Sequence, residues 1–295
     1  MTNDFKATDA PKHVMIAGCG YLGLRAAELW LANGAKVCVL TRSESKAAQL
    51  AAKGFAPLKA DLAAGVLPKL PAVDTVLWSV GFDRTAGHSR EAIWIDGLEF
   101  LLQNLPPTVN RLLYVSSTGV YAQTGGTEVS ESSAAEPVTE SGLCCLQAEQ
   151  VVRQHAPTTE MDVTVLRMAG LYGPDRLLRR TTDLRAGTPM KGSPDNFLNL
   201  IHIDDAVRAA VHVTGHRGIP LTNVVNTQTL TRAEYYSELA QLVDAPVPVF
   251  DQTQSTARGS NKRVVSNVAA EIGIKYQFND VRHGLRDAIE RTSNL

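Results

Sequence analysis

The sequence predicts an α/β fold, a doubly wound parallel sheet with a smaller substrate-side region towards the C-terminus. Three observations carry this reading. Short apolar runs alternate with segments of helical periodicity over the first 170 residues, a glycine cluster follows the first run directly, and the alternation weakens after about residue 170. Strands alternating with helices argue for a parallel sheet covered on both faces.

The elements follow in order. Residues 14–17 (VMIA) form a first strand, followed by the glycine cluster and a helical pattern through Leu31. Residues 36–40 (KVCVL) form a second strand that ends at the polar Thr41-Arg42-Ser43. A helix over 45–53 leads to PLKAD, whose brevity and flanking glycine mark a third strand. Residues 74–80 (DTVLWSV) read as a buried fourth strand, and 90–105 carry apolar residues at helical spacing. RLLYVS at 111–116 is a fifth strand and MDVTVLR at 161–167 a sixth, with a helix ending at 149–155 between them. Further helices are expected near 204–214 and 232–242. The architecture is Rossmann-type. Residues 1–12 read as a flexible leader and 13–295 as one domain, whose substrate-side region, largely from about 170–295, interleaves with the end of the sheet.

Composition narrows the function classes. Among 295 residues, 44% are hydrophobic and 20% charged, ordinary for a soluble globular chain. A net charge of −1 gives no electrostatic case for nucleic acid or an anionic membrane. No apolar run approaches the roughly 20 residues that span a bilayer, and the start, MTNDFKATDAPKH, has no apolar signal core. The four cysteines, Cys19, Cys38, Cys144 and Cys145, show no CxxC and no spacing suited to zinc, so no metal is expected. Cys144 and Cys145 are adjacent, but free thiols are the default in a reducing compartment, and the expected location is cytoplasmic.

Gly18-Cys19-Gly20-Tyr21-Leu22-Gly23 is a G-x-G-x-x-G placed after a strand and opening a helix. The first glycine permits a tight turn, the second lets backbone approach a pyrophosphate, and the third lets helix and strand pack closely. The helix N-terminus then faces the anion. A glycine-rich turn without a ligand is the plainer alternative. At the end of the second strand, a carboxylate would bind the ribose hydroxyls of NAD. This chain has Thr41, Arg42 and Ser43, a cation between two hydroxyls, which suits a 2′-phosphate. NADP(H) is therefore favoured, with NAD(H) as the alternative and a solvated Arg42 as the plain reading. Asp61 could accept from an adenine amino group with Leu62 against the ring, or cap the helix that follows.

The chain resembles the extended short-chain dehydrogenase/reductase superfamily, within its NAD-dependent epimerase/dehydratase group. Beyond the glycine loop, the resemblance rests on YVSSTGVYA at 114–122, Pro137, VLRMAGLYGPDR at 165–176, LIHIDDAVRAA at 200–210 and NKRVVSN at 261–267. It implies a nicotinamide cofactor contacted also by Ser79, Val80, Gly81 and Ser116. It further implies a small-molecule substrate such as a nucleotide sugar, and a homodimer formed through the helix over 90–105 and the one containing Cys144.

The resemblance also implies a catalytic set of a serine or threonine, here Ser117, with a tyrosine and a lysine four residues apart. The tyrosine acts as acid/base with its pKa lowered by the nearby ammonium. Aligned through Pro137 and Glu149, EPVTESGLCCLQAEQ places Ser141 on the tyrosine and Cys145 on the lysine. A serine hydroxyl is a far weaker acid, and a thiol carries no cation. An alanine, Ala17, also stands where the extended enzymes usually have glycine, a feature of the atypical branch. Tyr121 and Tyr172 follow strands and could stand in, although packing is the favoured role for Tyr121. Cys144 and Cys145 could act as thiol acid/base or redox groups if their pKa were depressed, but small core hydrophobes are favoured.

On the substrate side, His202 precedes Asp204 and Asp205 at a strand-to-helix junction, where an aspartate would cap the helix. Arg176, Arg179, Arg180 and Arg185 form a basic cluster suited to a diphosphate, or simply a solvated helix. Two functions compete. One is an NAD(P)-dependent epimerase, dehydratase or reductase using Ser117 and non-standard partners. The other is a catalytically inert NADP(H)-sensing module.

Overall fold

The computed structural model describes residues 10–85, 87–254 and 261–292. Most of the expected leader, residues 1–9, lies outside the described residues. The backbone N–H groups of Lys12 and His13 both donate to Asp74 Oδ2 at 2.9 Å.

The chain divides into two compact units: Met1–Ser117 with Glu140–Arg167 and Val207–Thr222, and Thr118–Thr139 with Met168–Ala206 and Asn223–Leu295. The second unit is discontinuous in sequence. It includes the segment that leaves the fifth strand, because Lys262–Val264 pairs in parallel with Thr127–Val129. Two three-residue strands 135 residues apart carry no periodicity strong enough to announce their pairing.

The first unit is built on β1 (His13–Ala17), α1 (Tyr21–Ala32), β2 (Lys36–Thr41), α2 (Glu44–Ala52), β3 (Ala56–Lys59), β4 (Thr75–Trp78), α3 (Gly97–Gln103), β5 (Arg111–Ser117) and α4 (Glu140–His155). The seven-stranded sheet runs in the order Leu221–Val224, Asp162–Met168, β5, β4, β1, β2, β3. Pairs β1–β2, β2–β3, β1–β4 and β4–β5 are parallel, so the order reverses beside β1, where open α/β sheets bind ligands. Val14, Met15, Ile16 and Ala17 have no exposed surface, which is why β1 is an unbroken apolar run.

Two buried cations brace this sheet. The Arg111 guanidinium donates to Asp162 at 2.6 Å, to Thr164 at 2.9 Å and to the Val213 carbonyl at 2.8 Å. Burial pulls its pKa down to about 10. Arg167 grips Glu149 of α4 through Nε and Nη2 at 2.9 and 2.7 Å.

The helix expected over 90–105 is not uniform. Ala92–Asp96 is a π turn, and α3 begins only at Gly97. A Cβ on Gly97 would lie 3.3 Å from both the Ala92 carbonyl oxygen and Leu62 Cβ, so this stretch is tightly packed. Helical spacing alone does not distinguish a wide turn from a regular one.

The second unit pairs Gly170–Tyr172 with Leu200–His202 in parallel and Phe197–Leu198 with Leu230–Thr231 antiparallel. Its core gathers Tyr172, Leu184, Tyr235, Leu239 and Leu285. The helix Arg232–Leu242 opens on a capping box between Thr231 and Glu234, as the T-R-A-E sequence requires. No helix among the described residues is long and apolar enough to cross a membrane.

Candidate functional site

The glycine loop assigns a different duty to each glycine. Gly18 has φ +92°, and a Cβ there would lie 2.5 Å from the backbone of Ser79 and Val80. A Cβ on Gly23 would lie 2.2 Å from the Gly18 carbonyl oxygen. These two glycines are demanded by the protein itself. Gly20 is exposed, and a Cβ there would meet nothing within 4 Å. The open position is the one at which a ligand's anion would approach the backbone. No side chain caps α1 at Gly20 and no acidic residue stands in its first turn, so the positive helix end is uncompensated.

The neighbours of the loop hold it in place. Ser79 Oγ donates to the Gly18 carbonyl at 2.8 Å, fastening the end of β4 to the end of β1. Val80 packs on the core, and Gly81 is exposed with open space around it. Leu22 is buried, while Tyr21 is half-buried with the Arg25 guanidinium 4.3 Å above its ring.

At the end of β2, Thr41 is buried and Arg42 is not alone. Arg42 Nη2 lies 3.2 Å from Asp83 Oδ2, with both side chains about half exposed (45% and 49%). Hydrogen bonds from Thr85, with Arg42 adding, hold the Asp83 carboxyl below its usual range. Nothing in the sequence marks Asp83 as this partner, because the two lie 41 residues apart. Ser43 Oγ caps α2 by accepting from Lys46 N at 3.3 Å. Asp61 caps the short helix Leu62–Ala64 by accepting from Ala64 N.

Around α4, Ser117 is the half-buried last residue of β5, and Ser141 is half-buried in the helix's first turn. The Ser116 hydroxyl donates to the buried Glu149 at 2.6 Å. Cys144 and Cys145 are free and buried, as are Cys19 and Cys38. Burial, with Glu149 adding, pushes the Cys145 thiol up to about 12, and burial also raises Cys144. Both thiols are therefore protonated near neutral pH, which removes the depressed pKa that acid/base or redox chemistry would need.

The two tyrosines named as stand-ins are interior. Tyr121 donates to Asn223 Oδ1 at 2.9 Å, and its carbonyl accepts from the buried Lys262 at 2.7 Å. Burial brings that lysine down to about 8. Tyr172 is 2% exposed, and burial raises its pKa. Its hydroxyl occupies the space that a side chain on Gly284 would fill.

His202 is fully buried between the rings of Tyr172 and Phe278. The expected aspartate cap is replaced by His202 itself, whose Nδ1 accepts from Asp204 N at 3.3 Å. Asp205 turns instead to the backbone N–H groups of Gln277 and Phe278, both at 2.8 Å. Among the described residues, His202, Asp204 and Asp287 bring ligand-type atoms within 4.8 Å of one another. Arg291 Nη1 already bridges the two carboxylates at 2.6 and 2.9 Å. With Nδ1 accepting, the imidazole proton sits on Nε2 facing Asp287, a poor arrangement for binding a cation. Arg176, Arg179, Arg180 and Arg185 are all exposed. Arg180 approaches Asp183 at 3.5 Å and Arg185 reaches the Val243 carbonyl at 3.2 Å.

Comparisons with known proteins fit this geometry. The family model described as NAD dependent epimerase/dehydratase family matches residues 14–226. No curated protein matches the sequence significantly. Among solved structures, a functionally unknown conserved protein from Silicibacter pomeroyi is 22% identical with a TM-score of 0.78, covering 96% of this chain and 100% of its own. A UDP-glucose 4-epimerase from Thermotoga maritima, solved with UDP-glucose, is 17% identical with a TM-score of 0.79 over 95% and 98% of the two chains. A dTDP-glucose 4,6-dehydratase from Streptomyces venezuelae, solved with NAD, is 22% identical with a TM-score of 0.81 over 95% and 96%. At these identities the likeness is one of fold.

Proposed function

Because the chain belongs to the NAD dependent epimerase/dehydratase family, we propose that it binds a nicotinamide dinucleotide at the carboxyl edge of β1, β2 and β4. The observation that carries this reading is the contrast within the glycine loop. Gly18 and Gly23 are required by packing, whereas Gly20 is required by nothing in the protein. A glycine whose added Cβ would touch no atom, placed at an uncapped helix N-terminus, fits a pyrophosphate.

The residues fit the group as follows. The backbone at Gly20–Leu22 would receive the pyrophosphate, and Arg42 with Thr41 and Ser43 would hold the adenosine-side ribose. Arg42 favours NADP(H) over NAD(H), although Asp83 must release it to do so. The cofactor would supply hydride exchange at its nicotinamide ring. The substrate reading is a sugar-nucleotide-like carbonyl or hydroxyl compound, with Arg176 suited to a phosphate and Ser117 as the candidate hydroxyl that orients the reacting oxygen.

A second reading, a catalytically inert module that senses NADP(H), is favoured by one specific observation. Burial, with Glu149 adding, pushes the thiol at the lysine position up to about 12, and burial likewise raises Tyr172. Neither is poised to exchange a proton near neutral pH.

Calorimetry with NADP, NAD and ADP tests the binding claim. Gly20→Ala should weaken dinucleotide binding sharply at only a small cost in melting temperature, because the added Cβ meets no protein atom within 4 Å. Retained affinity in that variant would overturn the placement. Equal or tighter binding of NAD would overturn the NADP preference. Cofactor consumption on incubation with nucleotide sugars then separates enzyme from sensor.

A further inference from the structure

The π turn after β4 places one cation that the sequence pattern does not announce. Arg90 lies just before Ala92–Asp96, and its side chain is mostly buried, 20% exposed. The guanidinium carbon sits 4.2 Å above the ring of Phe82 and 6.0 Å from that of Trp94. Those two rings meet edge to face at 6.2 Å. Nη1 reaches Glu140 Oε1 at 3.1 Å, in the first turn of α4. Stacking on one side and an ion pair on the other fix the plane of the group. Nη2 makes no hydrogen bond among the described residues, and the buried Nε–H and Trp94 Nε1–H have no partner.

This position is informative because of what α4 lacks. Glu140 and Cys144 share one face of α4, as do Ser141 and Cys145, since residues four apart are neighbours on a helix. Arg90, held at Glu140, therefore stands over the turn where Cys145 brings no charge. Its field reaches both thiols, lowering the pKa of each against the larger effect of burial. Phe82 belongs to the loop after β4, next to Ser79–Gly81. The end of β4 lies across the reversal in strand order from the end of β2. A dinucleotide with its pyrophosphate at Gly20 and its adenosine at β2 therefore carries its nicotinamide half towards β4 and α4.

We propose that Arg90 is a cofactor-binding residue, whose guanidinium donates from Nη2 to the hydroxyls of the nicotinamide-side ribose. The inference rests on the dinucleotide reading above. Arg90 would then restore, from a different element, the positive charge missing at Cys145. Glu140 serves only to orient it.

The test uses the full chain, with NADP and 2′,5′-ADP as calorimetric probes; the second lacks the nicotinamide half. Arg90→Met should weaken NADP binding by about 10- to 100-fold, the loss of one charge-assisted hydrogen bond, and leave 2′,5′-ADP affinity unchanged. Arg90→Lys should recover part of the loss. Glu140→Gln should not weaken NADP binding. Trp94 provides an independent reading: NADP should quench its emission and 2′,5′-ADP should not, with Trp94→Phe identifying the signal. NADP affinity within twofold of the original chain in Arg90→Met would overturn the proposal. So would equal losses for both probes, or an equal loss in Glu140→Gln, since each would mean that Arg90 merely supports the loop. If the unaltered chain binds neither probe, the dinucleotide reading itself fails and takes this inference with it.

Discussion

The first turns of α4 and its third turn differ in what they hold. In its third turn, Glu149 is completely buried and holds four donors: Ser116, both the Nε and Nη2 of Arg167, and Arg153. In its first turns, Ser141 and Cys145 occupy the positions where family resemblance asks for a phenol and an ammonium. Glu149 docks the helix onto β5 through Ser116, while the face bearing Ser141 and Cys145 is small and uncharged. Anchoring and chemistry are therefore separable along one helix.

Four measurements can break or sharpen this contrast. The largest effect is expected at the anchor. Glu149→Gln leaves Arg167, whose side chain is 4% exposed, buried without a counter-charge. Breaking such a pair costs about 3–5 kcal/mol, which urea titration of the folded chain would register. A loss below 1 kcal/mol would mean that the cluster is not the anchor. Next comes Cys145→Ala, where a small buried group is trimmed without stranding any charge. A cost of about 1 kcal/mol is expected in the same titration.

A smaller effect is expected at Arg153, which shares Glu149 but is 42% exposed. Arg153→Met should cost under about 1 kcal/mol, because water replaces most of what the pair provides. A cost equal to that of Glu149→Gln would move the anchor to the surface. Last, thiol chemistry probes the other end without changing stability. With Cys145 pushed up to about 12, native-state alkylation by iodoacetamide should be slow at pH 8. The thiolate fraction should increase roughly tenfold per pH unit towards that value. Burst labelling of Cys144 or Cys145 at neutral pH would show an activated thiol and revive the redox role.

Much of the first unit was legible because its signals are local. VMIA, the glycine cluster and the apolar run DTVLWSV identify strands and a phosphate-type turn within a few residues each, and the observed strands fall on them. The reading that Ser141 and Cys145 stand where the family resemblance asks for a tyrosine and a lysine is equally local, since ESGLCCLQAEQ is aligned through Pro137 and Glu149 on either side. What stayed hidden depends on contacts between distant residues. Arg42 meets Asp83, Arg90 meets Glu140, and Lys262 meets the Tyr121 carbonyl. Periodicity reports only the face on which a residue lies, not the partner that waits there.

The sequence by itself determined the fold class and the family, because both are written in short runs whose residue types have few physical alternatives. The tertiary structure decided what the polar side chains do. It separated the packing glycines Gly18 and Gly23 from the open Gly20, placed Ser116 on Glu149, made His202 the cap of its own helix, and set Arg90 over the empty turn of α4. The reason is one of range: backbone preference acts over a few residues, whereas burial, pKa and ion pairing are set by whatever segment the fold brings alongside.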